Sequence, residues 1–370
     1  MYIHFRYRIY PSSSIQKKLI THREECRWLY NRLLEEIKNA YKSGRKISQL
    51  DTQALIVKIK ETERPKLKEV YAKVLQIVNF RIWYAIRSLC RRRKKGFRGG
   101  DLRFKGKNQF KSINYNQYGF KIEYERRRLT LSKIGEIPIK IHRKIKGRIK
   151  GVIIKQYSSG KWFAIFQTEI QEEMQNQSRK RVVGIDMGLK FFITDSYGRQ
   201  FENPKFYHRM LNQIRKAHKE YSRKTKGSRN QEKARIHIAR VYEKLRNQRD
   251  DFLHKLSRFY VDNYDVIIIE NLMILKMIRS KWIGQGIIDA SWKKFFDMLT
   301  YKAERAGGTV IKVNPRGTSK QKFCSLDLDR DYNAALNIHK RGVGRPLPPV
   351  KRGPLRCIPA VAVIAGKFSR

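Results

Sequence analysis

Negative charge is scarce in this chain. Its 370 residues carry 32 Asp and Glu against 84 Lys and Arg, a formal net charge of +52. Such a one-signed balance opposes compaction through self-repulsion and is uncommon in a metabolic enzyme. It points instead to a polyanionic partner, nucleic acid first and an anionic membrane surface second. Cysteine is equally sparse: Cys26, Cys90, Cys324 and Cys357 are widely separated, without the spacing of a disulfide framework. Long apolar runs are missing too. The longest, Cys357 to Ala365, falls well short of the ~18 residues of a membrane span. Met1 to Tyr10 is charged and lacks the apolar centre of a signal peptide. These absences predict an intracellular, soluble protein. Disorder is excluded by what is present, because 41% hydrophobic and 11% aromatic residues can bury a sizeable core. The length suits two or three domains.

Local patterns divide the chain. Tyr2 to Tyr10 alternates as a strand does, and Ser12 to Ser14 offers an N-cap. Apolar residues at helical spacing predict helices over Ile15–Tyr41, Ser48–Lys60 and Leu67–Leu89, the last just after Pro65. Between Arg87 and Lys111 lie eleven basic residues and one acid, Asp101, interspersed with glycines and with Phe97, Phe104 and Phe110. Glycine permits close backbone approach and phenylalanine offers stacking faces, so this run is favoured as a nucleic-acid contact over a merely solvated loop. Short strands and turns follow from Ser112 to Ile170 and predict a small β-barrel-like unit. Gln171 to Arg179 is the expected linker. Beyond it strands alternate with helices: Val182–Met187, Phe191–Thr194, a long helical stretch over about 207–264, Asp265–Glu270, a helix over Ser291–Ala306 capped by Ser291, Gly308–Asn314, and a helix over Asp331–Lys340.

Three of the scarce acids stand in unusual places. Asp186 and Glu270 each end an apolar strand, and Asp331 opens a helix. Carboxylates there are costly to bury without a cation to compensate them. Each alone has a structural explanation, as a turn cap, half of an ion pair, or a charge favoured at a helix N-terminus. Together, in strand–strand–helix order, they describe the carboxylate cluster of an RNase H-like nuclease holding hard divalent metal.

The stretches Val182–Leu189, Ile268–Leu272 and Asp329–Ile338 resemble the three RuvC motifs of the TnpB (OrfB) family. These are transposon-encoded, RNA-guided nucleases related to compact type V CRISPR effectors. Supporting stretches are Cys26–Asn31, Asp251–Ser257, Trp292–Lys302 and Val313–Ser319. The resemblance implies an α+β multidomain protein. Residues 1–11 and 91–175 would form a β-barrel-like wedge domain gripping the guide scaffold, and 12–90 a helical recognition lobe inserted in it. Residues 180–342 would be the RNase H-like (RuvC) α/β nuclease domain with a helical insertion at about 207–264, and 343–370 a basic, proline-containing tail.

The resemblance further implies a guide (omega) RNA and double-stranded target DNA as partners, no membrane, and a cytoplasmic, nucleoid-associated setting in a prokaryote. Asp186, Glu270 and Asp331 would hold two Mg²⁺ ions and activate water, with Asp329 a neighbour rather than a ligand. Nucleic-acid contact is expected from Arg27, Trp28, Tyr30 and Asn31, although Trp28 and Tyr30 suit a bundle core equally well. The same is expected of Arg91, Arg92, Arg93, Lys94, Lys95, Arg98, Arg103, Lys105 and Lys107. His254 fits packing or phosphate contact better than a general base. One departure stands out: the family's zinc ribbon of two Cys-x-x-Cys knuckles is replaced by a stretch with the single Cys324. One thiolate cannot complete a four-ligand site, so zinc is not expected. The first expectation is therefore an RNA-guided DNA endonuclease of an insertion-sequence element. The alternatives are an RNA-guided DNA-binding protein or repressor with weakened cleavage, and a transposase or transposition accessory protein.

Overall fold

The computed structural model describes residues 2–97, 100–107, 109–170, 181–319, 328–344 and 355–366, with Gln117 described by its backbone alone. The expected linker, Arg98, Cys324 and residues 345–354 lie outside them. The chain divides into two compact units, Met1–Gln171 and Glu172–Arg370.

In the first unit β1 (Tyr2–Ile9) leads into α1 (Ser13–Lys42), whose start is capped by the Ser12 hydroxyl. Leu19, Cys26, Leu29, Leu33 and Ile37 recur on its buried side. Helix α2 (Gln49–Glu61) opens with a reciprocal capping box between Ser48 and Asp51. The third helix starts later than its periodicity predicts. Pro65–Glu69 forms a separate 3₁₀ turn, Val70 and Tyr71 are extended, and α3 runs over Ala72–Lys94. Leu67 and Val70 are still buried, which is why they fit the apolar pattern. The first part of the basic run is consequently helix rather than loop, and its cations Arg91–Lys94 complement the negative end of the α3 dipole.

Six more strands follow: β2 (Ser112–Asn116), β3 (Phe120–Glu123), β4 (Arg128–Leu131), β5 (Gly135–Lys140), β6 (Arg148–Gln156) and β7 (Trp162–Glu169). They join β1 in one antiparallel sheet of order β2-β6-β7-β1-β5-β4-β3. Phe120 on β3 meets Phe166 on β7 with ring centroids 6.2 Å apart. In a flat sheet these strands, four positions apart, would be separated by roughly 19 Å. The sheet must therefore curl toward a barrel. Helices and sheet share one core that runs from Leu29 and Leu33 to Ile113, Tyr115 and Phe166.

The second unit is built on a mixed sheet of order β12-β11-β8-β9-β10-β13. Strands β8 (Val182–Met187), β9 (Phe191–Asp195) and β10 (Arg199–Glu202) pair antiparallel. The long helices α4 (Phe206–Ser222) and α5 (Arg229–Asn263) follow, then β11 (Val266–Glu270), which pairs parallel with β8. Short helices α6 (Ile274–Met277) and α7 (Gly284–Ala290) lead to α8 (Trp292–Arg305) and to β12 (Thr309–Val313), parallel to β11. Helix α9 (Arg330–Val343) crosses the sheet. Ser291 is not the cap its position suggests: its backbone is left-handed, and its hydroxyl donates back to Ile288 O.

The segment expected as a basic tail partly belongs to this sheet. Strand β13 (Arg356–Ile358) pairs parallel with β10, and α10 (Ala360–Ala365) buries Ala360 and Val363. Ile358, Ala360 and Val363 of the short apolar run from Cys357 to Ala365 are thus core, whereas Cys357 and Val361 are exposed. Among the described residues no helix is long and apolar enough to cross a membrane.

Helix α9 lies so close to β8 that only glycine fits beneath it. A Cβ on Gly184 would fall 2.5 Å from Ala335 O and 2.7 Å from His339 N. Gly184→Ala should therefore push α9 off the sheet, at a cost of about 1–3 kcal/mol. Thermal unfolding of that variant should show a clear fall in Tm.

Candidate active site

Strand alternation builds the site. On β11, Ile267 and Ile269 enter the core beneath α5 and α8, whereas Ile268 packs with Val313 and Ile338 on the α9 side. By the two-residue period Glu270 shares the face of Ile268. On β8, Val183 and Ile185 enter the first core, leaving Gly184 and Asp186 toward α9. Gly184 pairs with Ile268 and Ile185 with Ile269, so the next step of the parallel register sets Asp186 beside Glu270 at the carboxyl ends of both strands. Asp331 lies one helical turn before Ala335, the residue over Gly184, and roughly 6 Å from it along the helix axis. Thus the N-terminus of α9 brings the third carboxylate to the other two.

Glu270 and Asp331 both act on Asp186. Burial, then Glu270, then Asp331 push the Asp186 carboxyl up to about 7, against partial relief from the Met187 N–H and Arg330. Glu270 is buried and also raised, with the Thr318 hydroxyl and Arg341 opposing the effect of burial. Burial and then Asp329 raise Asp331, while Arg330 and Lys190 oppose them. Such a cluster cannot be fully ionised at neutral pH without added positive charge. Among the described residues no three His, Cys, Asp or Glu side chains close into a ready metal shell. The donors nevertheless fit a hard divalent cation, since Mg²⁺ keeps several waters and takes one or two carboxylates plus substrate phosphate.

Two residues inside the motif stretches, Thr318 and Asn337, have supporting roles that the sequence does not assign. The Thr318 hydroxyl donates to Glu270 Oε1 at 2.5 Å, and Asn337 Nδ2 on α9 donates to Thr318 O at 2.9 Å. The chain after β12 is thereby tied to both Glu270 and α9. Asp329 has its own role as N-cap, accepting from the Asp331 and Tyr332 N–H groups at 3.1 Å each. Its place two residues before Asp331 is the helix-start signal.

The candidate nucleic-acid residues of the first unit separate into groups. Arg27 donates to Glu24 and to Lys105 O, while Asn31 exchanges two hydrogen bonds with the Lys105 backbone. Both clamp the basic segment onto α1. Tyr30 is buried against Phe110, which is itself buried beneath Arg81, and Arg64 lies over half-buried Trp28. Phe110 is therefore core rather than a stacking face, whereas Phe97 and Phe104 are exposed. Arg91, Arg92, Arg93, Lys94, Lys95, Arg103 and Lys107 are also exposed, with Arg93 paired to Asp101. Lys105 is half-buried over the Tyr30 ring. His254 is exposed on α5, and its carbonyl accepts from Lys302. Cys26, Cys90 and Cys357 are unpaired.

Known proteins share this organisation. Residues 165–281 match the OrfB model of IS605-type elements, described as a probable transposase, and 292–338 match a Cas12f1-like TNB domain. Residues 1–46 match a helix-turn-helix model, although they form here one strand and one 30-residue helix. A putative RNA-guided DNA endonuclease of Streptomyces pristinaespiralis is 29% identical, over 92% of this chain and 89% of its own. The putative RNA-guided DNA endonuclease InsQ of Escherichia coli K12 is 27% identical, over 86% and 81%. In fold the chain resembles Cas12f1 from a cryo-EM complex with sgRNA and target DNA, at a TM-score of 0.55 and 13% identity, over 92% of this chain and 98% of that one. Its motifs, its fold and these matches agree that the chain is similar to OrfB, or TnpB-like, proteins.

Proposed function

We propose that this protein is an RNA-guided DNA endonuclease of an insertion-sequence element, in which Asp186, Glu270 and Asp331 form one RuvC-type site in an RNase H-like domain. The observation that carries the proposal is the coupling of three strand- and helix-terminal carboxylates at the carboxyl edge of a mixed sheet, where open α/β sheets bind ligands. Relatives across most of the chain are named as putative enzymes of this activity.

Each residue has a definable task. Asp186 and Glu270 present oxygens from adjacent strands, and Thr318 fixes the rotamer of Glu270. The Asp329 cap orders the first turn of α9, which directs Asp331 toward Asp186. That helix N-terminus also favours an approaching phosphate. Mg²⁺, the hard ion these donors suit, would when bound stabilise charge on the phosphate and lower the pKa of water. The net charge of +52 supplies salt-dependent, sequence-blind affinity for RNA and DNA backbones. Sequence choice then falls to base pairing with the guide. Such an enzyme works in the prokaryotic cytoplasm, at the nucleoid.

The direct test is to purify the protein with its bound RNA and sequence that RNA. Plasmids carrying the matching target with randomised flanks are then incubated with and without Mg²⁺, using Asp186→Ala as control. Mg²⁺-dependent cutting is expected. Tight binding without cutting would favour a guided repressor, and joined DNA products a transposase. Thr318→Val removes one hydrogen bond to a carboxylate, worth about 1.5–3 kcal/mol. Single-turnover cutting should slow by about tenfold or more in that variant, whereas Thr318→Ser should keep most of the rate.

A further inference from the structure

The second unit holds an open groove of ≈ 890 Å³. Its floor is apolar, made of Leu189, Leu211 and Ile214. Leu189 follows Asp186 by three residues, so one end of the groove lies on the turn that leaves the strand carrying Asp186. Its walls are fastened to one another. Asn203 Nδ2 donates to Leu189 O at 3.0 Å, tying the turn after β8 to the approach to α4. Asp289 accepts from the Tyr207 N–H at 2.9 Å and from Arg249 at 2.6 Å, tying α7 to α4 and α5. Gly286 on α7 approaches Leu189 so closely that a Cβ would lie 3.2 Å from it. At the entrance Lys205 holds a left-handed backbone with φ of 45°. Strain of this kind persists where surrounding structure over-determines it, commonly at ligand sites.

The rim has the chemistry of a nucleic-acid site. Lys205 and Arg215 are exposed, and neither forms a salt bridge among the described residues. His218 and Tyr242 form an edge-on aromatic pair at the far end, with ring centroids 5.9 Å apart. The lining carboxylate, Asp289, is already engaged by Arg249 and the start of α4. Aromatic faces for bases beside unpaired cations for phosphates are the components of single-strand binding. The volume suits a ligand of one or two nucleotides.

We propose that this groove, between α4, α5, α7 and the turn after β8, holds one or two nucleotides of the DNA strand adjoining the scissile phosphate. The inference rests on the nuclease reading and assigns the path by which the strand reaches Asp186. The experiment uses the full-length, RNA-loaded protein with Arg215→Glu, Leu211→Trp to fill the groove, and Arg209→Glu, an exposed α4 position outside it, as charge control. Cutting of a guide-matched plasmid should slow about tenfold or more in the first two variants and within twofold in the control. Binding of guide-matched duplex in an Asp186→Ala background should stay within twofold throughout. Unchanged cutting by Arg215→Glu and Leu211→Trp would overturn the proposal. So would equal losses in Arg209→Glu and Arg215→Glu, or a change of oligomeric state in Leu211→Trp with cutting intact. If the unsubstituted protein cuts nothing, the nuclease reading fails separately. Affinity of the same variants for a fluorescent 20-nucleotide single strand then still decides the groove, with equal affinities overturning it.

Discussion

Asp186→Asn should abolish DNA cutting while leaving the protein at least as stable as before. The activity loss follows from removing a central donor of the cluster. Several kcal/mol of transition-state stabilisation, about 10³-fold in rate, is the scale expected for a metal-assisted site. The stability gain follows from electrostatics. Burial together with Glu270 and Asp331 pushes the Asp186 carboxyl up to about 7, so its ionised form is disfavoured in the folded state. A raised carboxyl pKa costs folding free energy as pH climbs from about 4, the unfolded value, through 7. In the presence of a chelator the unsubstituted protein should lose thermal stability across that window. Asp186→Asn should flatten the profile and melt higher at pH 8. A variant that cuts normally would remove Asp186 from the chemistry, and one that melts lower at pH 8 would contradict the repulsion.

Asp195→Ala has the largest expected effect on folding. This carboxylate is fully buried. Its Oδ2 accepts from Arg199 Nε at 2.7 Å and from the Tyr260 hydroxyl at 3.0 Å, and its Oδ1 accepts from the backbone N–H groups of Tyr197 and Arg199. Arg199 also donates to the Tyr264 hydroxyl and lies 5.1 Å from the Phe259 ring centroid. Truncating Asp195 strands the guanidinium and several donors inside the unit, at a cost of about 3–5 kcal/mol. Denaturant unfolding and limited proteolysis should show the second unit opening far earlier. By contrast, Asp297→Ala breaks the exposed Lys293–Asp297 pair and should cost at most about 0.5 kcal/mol. Similar losses in the two variants would refute the network's importance.

What the sequence reveals and what it hides divides along physical lines. Asp186 and Glu270 are conspicuous because each ends an apolar strand, and Asp331 because it opens a helix. Their convergence depends on parallel pairing of β8 with β11 and on Gly184 admitting α9, long-range events that local periodicity does not encode. Thr318 lies in the supporting stretch Val313–Ser319, but its role stays hidden for the same reason, since its partner Glu270 lies 48 residues away. Asp195 has no partner visible in the sequence, because Arg199 and Tyr260 meet it only after folding. Strand β13 has three residues and pairs with distant β10, so proline and charge around it suggest a tail. Lysine and arginine also mask the end of α3, which continues helically to Lys94 through residues with no apolar side. Arg27 and Asn31 appear suited to nucleic acid, yet their polar atoms hold the Lys105 backbone.

The central claim is that three carboxylates from two strands and a helix act as one nuclease centre. Single-turnover cutting of a guide-matched plasmid with Mg²⁺ tests it, using Asp186→Ala, Glu270→Ala, Asp331→Ala and the triple variant. Residues that work as a unit are non-additive, so each single variant should fall to the same residual rate as the triple. Near-normal cutting by any one of them, or losses that multiply to give the triple, would contradict a shared site.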